Sequence, residues 1–204
     1  MAVLTQLQVQ SLEPAITLAL GSFRTSPSES AHAAARAAVL SALRQCLGAS
    51  EVVLEHHPSG APYLPSLPSC NISLSHTEQH IALLLDEQGA AVGIDIEAYR
   101  SSLQRVRPRF LTDEELTIAA DANKKLHTPL TEEALLQLLW SAKEAAFKYA
   151  NSPDNSLLYY RLRALSQGEG KTLRLELESA LGRLPLEAQP YEDCWVVYHH
   201  RALL

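Results

Sequence analysis

The sequence has few of the features that mark several common protein classes. Its three cysteines, Cys46, Cys70 and Cys194, form no C-x-x-C pair, which argues against a disulfide scaffold or a structural zinc site and favours a reducing compartment. No apolar run approaches the roughly 20 residues that cross a bilayer. The first ten residues, "MAVLTQLQVQ", lack the basic and apolar regions of a signal peptide. We therefore expect a cytoplasmic, soluble protein with no membrane partner.

Positive charge is also in short supply. The chain carries 17 lysines and arginines against 23 acidic residues, a net charge of -6, which argues against nucleic acid as a partner of the whole surface. The Ser–His pair of "NISLSH" lacks a G-x-S-x-G elbow, so a hydrolase triad is disfavoured. With 204 residues, 47% of them hydrophobic, the chain can nevertheless bury a substantial core.

Start and stop signals predict three helices. The first should begin at a capping box with proline at its first position and end at a glycine, the second should begin at a threonine cap, and the third, rich in good helix formers, should begin at about Thr131. These signals are Ser26, Pro27, Glu29 and Gly48 for the first helix, Thr112 with Glu115 for the second, and Thr131 for the third.

Alternating and apolar runs predict the strands. They are "EVVLEHH", two or three strands within residues 71–97 joined by turns at His76–Gln79 and Glu87–Gly89, and "KTLRLELE", beside which "DCWVVYHH" can pair. Helices mixed with strands on short turns indicate an α+β fold rather than a regular βαβ succession.

The strand "VGIDIE" carries two acids, Asp95 and Glu97. In an extended chain both carboxylates project from one face, about 7 Å apart. One interpretation is an exposed edge with solvated charges. The apolar flanks indicate a central strand instead, where two like charges need a cation or hydrogen bonds. A hard divalent ion such as Mg²⁺ is one such compensation.

The third helix offers another acid in "WSAKEAAFKY". Glu144 and Lys148 are four residues apart and share a helix face, with Trp140 one turn earlier. Spacing alone predicts only a surface ion pair. Ser73, Ser75 and His76 end a predicted strand at a turn, a position from which polar groups often reach a ligand.

Four segments, "NISLSH" at 71–76, "VGIDIE" at 92–97, "RFLTDEE" at 109–115 and "WSAKEAAFKY" at 140–149, together resemble the 4′-phosphopantetheinyl transferase family. The resemblance covers roughly residues 30–165, and the length is similar to that of the monomeric Sfp-like branch. It implies two similar α+β subdomains that form a pseudo-dimer within one chain. We expect them at residues 1–90 and 91–204, the second carrying the metal and catalytic motifs, in a monomeric protein.

The resemblance also implies a reaction. Such enzymes move the phosphopantetheine arm of coenzyme A to a serine of an apo acyl, peptidyl or polyketide carrier protein and release 3′,5′-ADP. Asp95, Glu97 and Glu144 match the family's metal ligands, and the ion would be Mg²⁺ or Mn²⁺, which share oxygen ligands. Glu144 also matches the general base, and Lys148 matches the lysine at the departing phosphate, so Asp95, Glu144 and Lys148 form the predicted catalytic set.

The residues that the resemblance implies for coenzyme A are His76 with Ser75, Lys143, Lys148 and Arg36. A solvated helix arginine is an equally open interpretation of Arg36, and a turn histidine bonded to backbone is the alternative for His76. Relatives often read Gly-Lys-Pro where this sequence has "GAP". Ala61 therefore replaces a cationic contact, and the sequence leaves open how the 3′-phosphate is held.

The run "YRSSLQRVRPRF" contains Arg100, Arg105, Arg107 and Arg109. It is either a solvated connector or a basic surface for an acidic carrier protein, whose binding would weaken with salt. Two rival functions stay open: a silent relative that binds coenzyme A or a carrier without transfer, and an unrelated metal-dependent phosphotransferase or hydrolase.

Overall fold

The computed structural model of the protein describes residues 3–26, 28–98, 100–151 and 156–200. Two antiparallel sheets and four α-helices form in this part of the chain, which confirms the predicted α+β class. The strands are β1 (Val3–Glu13), β2 (Ile16–Arg24), β3 (Glu55–His56), β4 (Pro62–Tyr63), β5 (Asn71–His76), β6 (His80–Asp86), β7 (Val92–Ala98), β8 (Arg161–Gln167), β9 (Leu173–Ser179), β10 (Gly182–Tyr191) and β11 (Cys194–His200). The helices are α1 (Ala31–Leu47), α2 (Ser102–Val106), α3 (Asp113–Asn123) and α4 (Glu132–Ala150).

The sheets have the strand orders β1-β2-β6-β5-β4-β3 and β7-β11-β10-β9-β8. Strand β7 is therefore the outermost strand of its sheet, not the central strand that its apolar flanks predict. It is nonetheless buried from Val92 to Ile96. A strand can be buried without lying at the centre of its sheet. The apolar residues around Asp95 and Glu97 indicate burial, not central position.

The chain divides into two compact units. The first comprises the described residues up to Ile96 together with His200, and the second comprises Glu97–His199. The division falls within β7. The predicted boundary at residues 90/91 stays a prediction, and it lies in the segment just before that strand.

In the first unit, α1 packs on its sheet through a face of small residues. Ala34, Ala35, Ala38 and Ala42 are each no more than 1% exposed and join a core that also contains residues of β2, β5 and β6. Alanine has the highest helix propensity and no side-chain rotamer entropy to lose. The alanine-rich sequence therefore gives both a stable helix and a close helix–sheet contact.

The ends of α1 differ in how well the sequence predicts them. The predicted end at Gly48 is confirmed, since this residue adopts the left-handed conformation with φ of 60°. The predicted capping box at Ser26 and Glu29 is wrong. The helix begins after Ser30, whose side chain accepts a hydrogen bond from the backbone N–H of Ala33. Pro27, predicted for the first helical position, lies outside the described residues.

Strands β1 and β2 are absent from the sequence-based prediction. They form an antiparallel pair at one edge of the first sheet. The side chains of β1 are mostly exposed. Leu7 and Val9 alternate with glutamines in this strand, a local signal that could have predicted it.

In the second unit, α4 packs against the sheet with its apolar residues in the core, among them Leu138, Leu139 and Ala142. Thr131 caps α4, and Thr112 with Glu115 forms a complete capping box on α3, so both predicted helix starts are confirmed.

The predicted pairing of "KTLRLELE" with "DCWVVYHH" is wrong. These segments are β9 and β11, and β10 lies between them and pairs with both. Strand β10 contains Pro185 and Pro190. Because proline has no backbone N–H to donate, its presence in a sequence argues against a paired strand. Among the described residues, no helix is both long and apolar enough to span a membrane.

Candidate active site

Two serines of β5 join this strand to β7 through their side chains. Ser73 and Ser75 are both buried and share one strand face because they are two residues apart. The Oγ of Ser75 donates to Oδ1 of Asp95 over 2.8 Å, and the Oγ of Ser73 accepts from the backbone N–H of Ile94 over 3.0 Å. The motifs "NISLSH" and "VGIDIE" therefore meet at a buried carboxylate, with Asp95 4% exposed.

His76 follows Ser75 and is exposed at the end of β5. Its Nδ1 donates to the backbone carbonyl of Thr77 over 3.2 Å, so the hydrogen lies on Nδ1, and Nε2 is the nitrogen that a ligand could meet. The ring of His32 on α1 lies edge-on to it, with centroids 6.3 Å apart. This contact agrees with the alternative interpretation of His76 as a turn histidine bonded to backbone. Because it uses only Nδ1, it leaves Nε2 available to a ligand.

Arg36 lies one turn after His32 on the exposed face of α1. Its Nη2 donates to the backbone carbonyl of Leu54 over 3.4 Å, a long hydrogen bond. Ala61 directly precedes β4 and is half-buried, and its carbonyl accepts from the backbone N–H of His57 over 2.9 Å. The first unit thus presents basic and imidazole groups on α1 and at the end of β5.

In the second unit, Glu97 is held by two residues. Its Oε1 lies 2.9 Å from Nε of Arg100, and its backbone carbonyl accepts from Nε2 of Gln137. The guanidinium of Arg100 lies over the indole of Trp140, 5.3 Å from the ring centroid, a cation–π contact. Trp140 also meets Phe110 edge-on. The tryptophan of the α4 motif therefore supports the arginine that pairs with the second acid of β7.

Glu144 and Lys148 lie one turn apart on α4, and both are half-buried. Their four-residue spacing places both side chains on one face of the helix. A carboxylate and an ammonium on one rigid face are the groups that proton transfer and phosphate binding require.

Lys143 lies elsewhere on α4. Its side chain is 1% exposed, and its Nζ is 2.6 Å from Oε1 of Glu115, which is 2% exposed. Burial raises the pKa of Glu115, but the ammonium of Lys143 and the backbone N–H groups of Leu162 and Thr112 outweigh this and lower it below its ordinary value. Burial lowers the pKa of Lys143, and Glu115 opposes that shift only in part. Because Lys143 lies in the core, its environment differs from the coenzyme contact predicted for it.

All three cysteines are free thiols. Burial, with nearby acidic groups, raises the pKa of Cys70 to about 11 and that of Cys194 to about 12, and burial also raises the pKa of Cys46. Thiols with such pKa values stay protonated near neutral pH, which makes them poor nucleophiles.

The sequence model of the 4′-phosphopantetheinyl transferase superfamily matches residues 91–192, half of the chain. The chain belongs to this superfamily. It is also similar to the 4′-phosphopantetheinyl transferase psf-1 of Bacillus pumilus, with 31% identity over 127 residues, which cover 61% of this chain and 51% of that protein. The chain thus spans about half the length of this curated relative.

Asp95, Glu97 and Glu144 are the predicted metal ligands of this phosphopantetheinyl transferase homologue, and carboxylates are the donors that a hard divalent ion prefers. The hydrogen bond from Ser75 fixes the orientation of the Asp95 carboxylate, as hydrogen-bonded neighbours of metal ligands commonly do.

Three contacts of the site were missed by sequence analysis. Ser73 is named from the sequence together with Ser75, but its hydrogen bond with the Ile94 N–H is not, although their alternation could have placed both hydroxyls on one face. Gln137 precedes Trp140 by three residues and could have been placed on the same side of α4. Glu115 was identified only as a cap. Its pairing with Lys143 spans 28 residues of sequence and leaves no local signal.

Proposed function

We propose that the protein transfers the 4′-phosphopantetheine arm of coenzyme A to a serine of an apo carrier protein and releases 3′,5′-ADP, the reaction of a holo-carrier-protein synthase. The observation that carries the proposal is the buried hydrogen bond from Ser75 to Asp95, because it links two of the family's motifs in space. The match over residues 91–192 supports it independently.

The transfer forms a bond between the serine oxygen and the phosphorus that bears the pantetheine arm, and it breaks the bond from that phosphorus to 3′,5′-ADP. In our assignment Glu144 takes the proton of the serine hydroxyl, directly or through water. Lys148 steadies or protonates the departing phosphate. Since little covalent chemistry falls to the protein, positioning of these groups on α4 should dominate the rate.

Asp95, Glu97 and Glu144 would hold Mg²⁺ or Mn²⁺, whose charge, when bound, offsets the charge that develops on the pyrophosphate oxygens. Asp95 is oriented by Ser75, whereas Glu97 is paired with Arg100. Arg100 would therefore have to share or release the Glu97 carboxylate when the site is loaded.

Coenzyme A would meet the first unit through His76 and Arg36. Both side chains are exposed. The Arg36 guanidinium can donate hydrogen bonds to phosphate oxygens, and His76 would do so only with a second hydrogen, on Nε2. The absence of a cation at Ala61 leaves the nucleotide end to these groups. We expect coenzyme A affinity to depend on Arg36 more strongly than in relatives that carry lysine at the Ala61 position.

The carrier protein would bind the arginines after β7. Arg105 and Arg109 are exposed and Arg107 is half-buried, in and after α2. A basic segment on an otherwise acidic chain suits an acidic carrier surface and would speed association at low salt. Arg100 is already engaged by Glu97, so Arg105 and Arg109 are the better candidates for this contact.

The test is incubation of the protein with coenzyme A, Mg²⁺ and apo carriers of fatty-acid, polyketide and peptide-synthetase type. We expect intact-mass measurement to show the phosphopantetheine addition on at least one carrier. Asp95→Asn should slow transfer by about 10²-fold or more, and because an amide oxygen can still accept from Ser75, it should remain folded. Asp121→Asn, on the exposed end of α3, serves as the matched control. No mass gain on any carrier, or full activity of Asp95→Asn, would contradict the proposal.

A second candidate function is coenzyme A or carrier binding without transfer. One observation favours it, namely Ala61 in the position of the usual lysine. This function predicts measurable coenzyme A binding by calorimetry together with an absence of transfer in the same carrier assay.

A further inference from the structure

The Glu115–Lys143 pair is a strongly buried charged contact of the second unit. The two side chains are 2% and 1% exposed. The residues that flank Lys143 on its side of α4, Ala142 and Ala146, are fully buried. Burying an ion pair in such surroundings costs hydration free energy, and the Coulomb attraction between the two charges offsets this cost only in part.

Glu115 is shared by three elements. Its Oε2 accepts from the backbone N–H of Thr112 over 2.9 Å and from the Thr112 hydroxyl over 3.1 Å. Its Oε1 accepts from the backbone N–H of Leu162 over 2.8 Å and meets Nζ of Lys143. One carboxylate thus fixes the start of α3, the start of β8 and one point on α4.

That point on α4 is next to the residues that would carry out the chemistry. Glu144 follows Lys143 directly, and Lys148 follows Glu144 by one turn. Successive helix residues differ by about 100° in direction, so fixing Nζ of Lys143 fixes the directions in which Glu144 and Lys148 point. An apolar contact at the same place would allow small rotation and sliding, because dispersion contacts are not directional.

Buried pairs can often be replaced by apolar residues without loss of stability. Retention of a charged pair here therefore calls for a role other than stability, and the location on α4 indicates one. A direct contact between Lys143 and coenzyme A would instead require the lysine to leave the core and abandon Glu115.

We propose that Glu115 and Lys143 are positioning residues, which hold α4 in the register that aims Glu144 and Lys148, and that Lys143 does not contact coenzyme A. The inference rests on the proposed transfer function for its kinetic consequence, but its structural content can be measured without transfer.

The experiment compares Glu115→Gln, Lys143→Met and the double variant with the unmodified protein. The control is the exposed pair Arg163–Glu178 of the same unit, replaced as Arg163→Met with Glu178→Gln. Four quantities are measured: the free energy of unfolding in urea, the coenzyme A Kd by calorimetry, kcat on a carrier, and hydrogen exchange of the amides of residues 141–148.

Each single variant should be less stable than the double variant, since each leaves one buried partner without its counterpart. In the stable double variant, kcat should fall by about tenfold to a hundredfold, as a small misplacement of reacting groups would cause. Any change in the coenzyme A Kd should be the same in Glu115→Gln as in Lys143→Met, because both act on Lys148 only through α4, and exchange at 141–148 should accelerate more than in the rest of α4. The control variant should leave all four quantities unchanged.

Three results would overturn the inference. Weaker coenzyme A binding in Lys143→Met but not in Glu115→Gln would make Lys143 a direct ligand. An unchanged kcat in the double variant would mean that the pair serves stability alone. Unchanged exchange at 141–148 would show that α4 needs no such anchor. If the unmodified protein transfers nothing, the proposed function fails, while the exchange and Kd measurements still decide the positioning role.

Discussion

Lys143 and Lys148 lie on the same helix and within the same sequence motif, yet their surroundings differ. Lys143 is in the core against Glu115, whereas Lys148 is half-buried, one turn beyond Glu144. The sequence presents both as candidate phosphate ligands. Two lysines of one helix motif can thus have different surroundings, and only packing separates them.

The largest expected effect separates the two lysines by stability. Lys143→Met should lower the free energy of unfolding by about 3–5 kcal/mol, because it leaves the buried charge of Glu115 without its partner. Lys148→Met should change it by about 1 kcal/mol or less, since the residue is only partly buried. Urea unfolding followed by circular dichroism measures both. Equal losses would remove the distinction between the two lysines.

A similar contrast, of smaller size, exists between the two serines of β5. Ser75→Ala removes the hydroxyl that orients Asp95, and the affinity for Mn²⁺ should fall by about 10–100-fold, as it does when neighbours of metal ligands are removed. Ser73→Ala removes an acceptor of the Ile94 N–H and should affect stability instead. Mn²⁺ titration by electron paramagnetic resonance distinguishes them, and an equal loss of affinity in both variants would contradict the role of Ser75.

The smallest effect concerns pH. The folded pKa of Glu115 lies below its ordinary value, so its charged form is favoured by folding. Its contribution to stability is complete above the unfolded pKa, near pH 4.3, and is lost as the pH falls through the lower, folded pKa. The stability difference between the unmodified protein and Glu115→Gln should therefore shrink in acid. Urea unfolding at a series of pH values measures it, and a difference that grows below pH 4 would reverse the sign assigned here.

Local signals account for what the sequence predicts well. The capping box of Thr112 and Glu115 lies within four residues, and Thr131 and Gly48 bound their helices through contacts of the same short range. The cap at Ser30 shows the limit of such signals, because Ser26 with Glu29 matches the same pattern. Both serines satisfy the local rule, and the packing of the alanine face decides between them.

The features that sequence analysis misses depend on which segments pair in the fold. Strand β10 is hidden by its prolines and is recognised by its pairing with β9 and β11. Asp95 was identified through its strand pattern and its family resemblance, but not the hydroxyl of Ser75 that bonds to it across 20 residues. The role of a polar side chain in the core depends on the groups that contact it, and amino-acid composition does not reveal those contacts.

The alanine face of α1 has a consequence for how this helix can vary. Four alanines that are almost completely buried leave no room for a larger side chain, because added methylenes in a close-packed contact force strain. The opposite face, with His32 and Arg36, is exposed to solvent and has no such limit. The outer residues of this helix can therefore change at little cost to the fold, while its inner residues stay small.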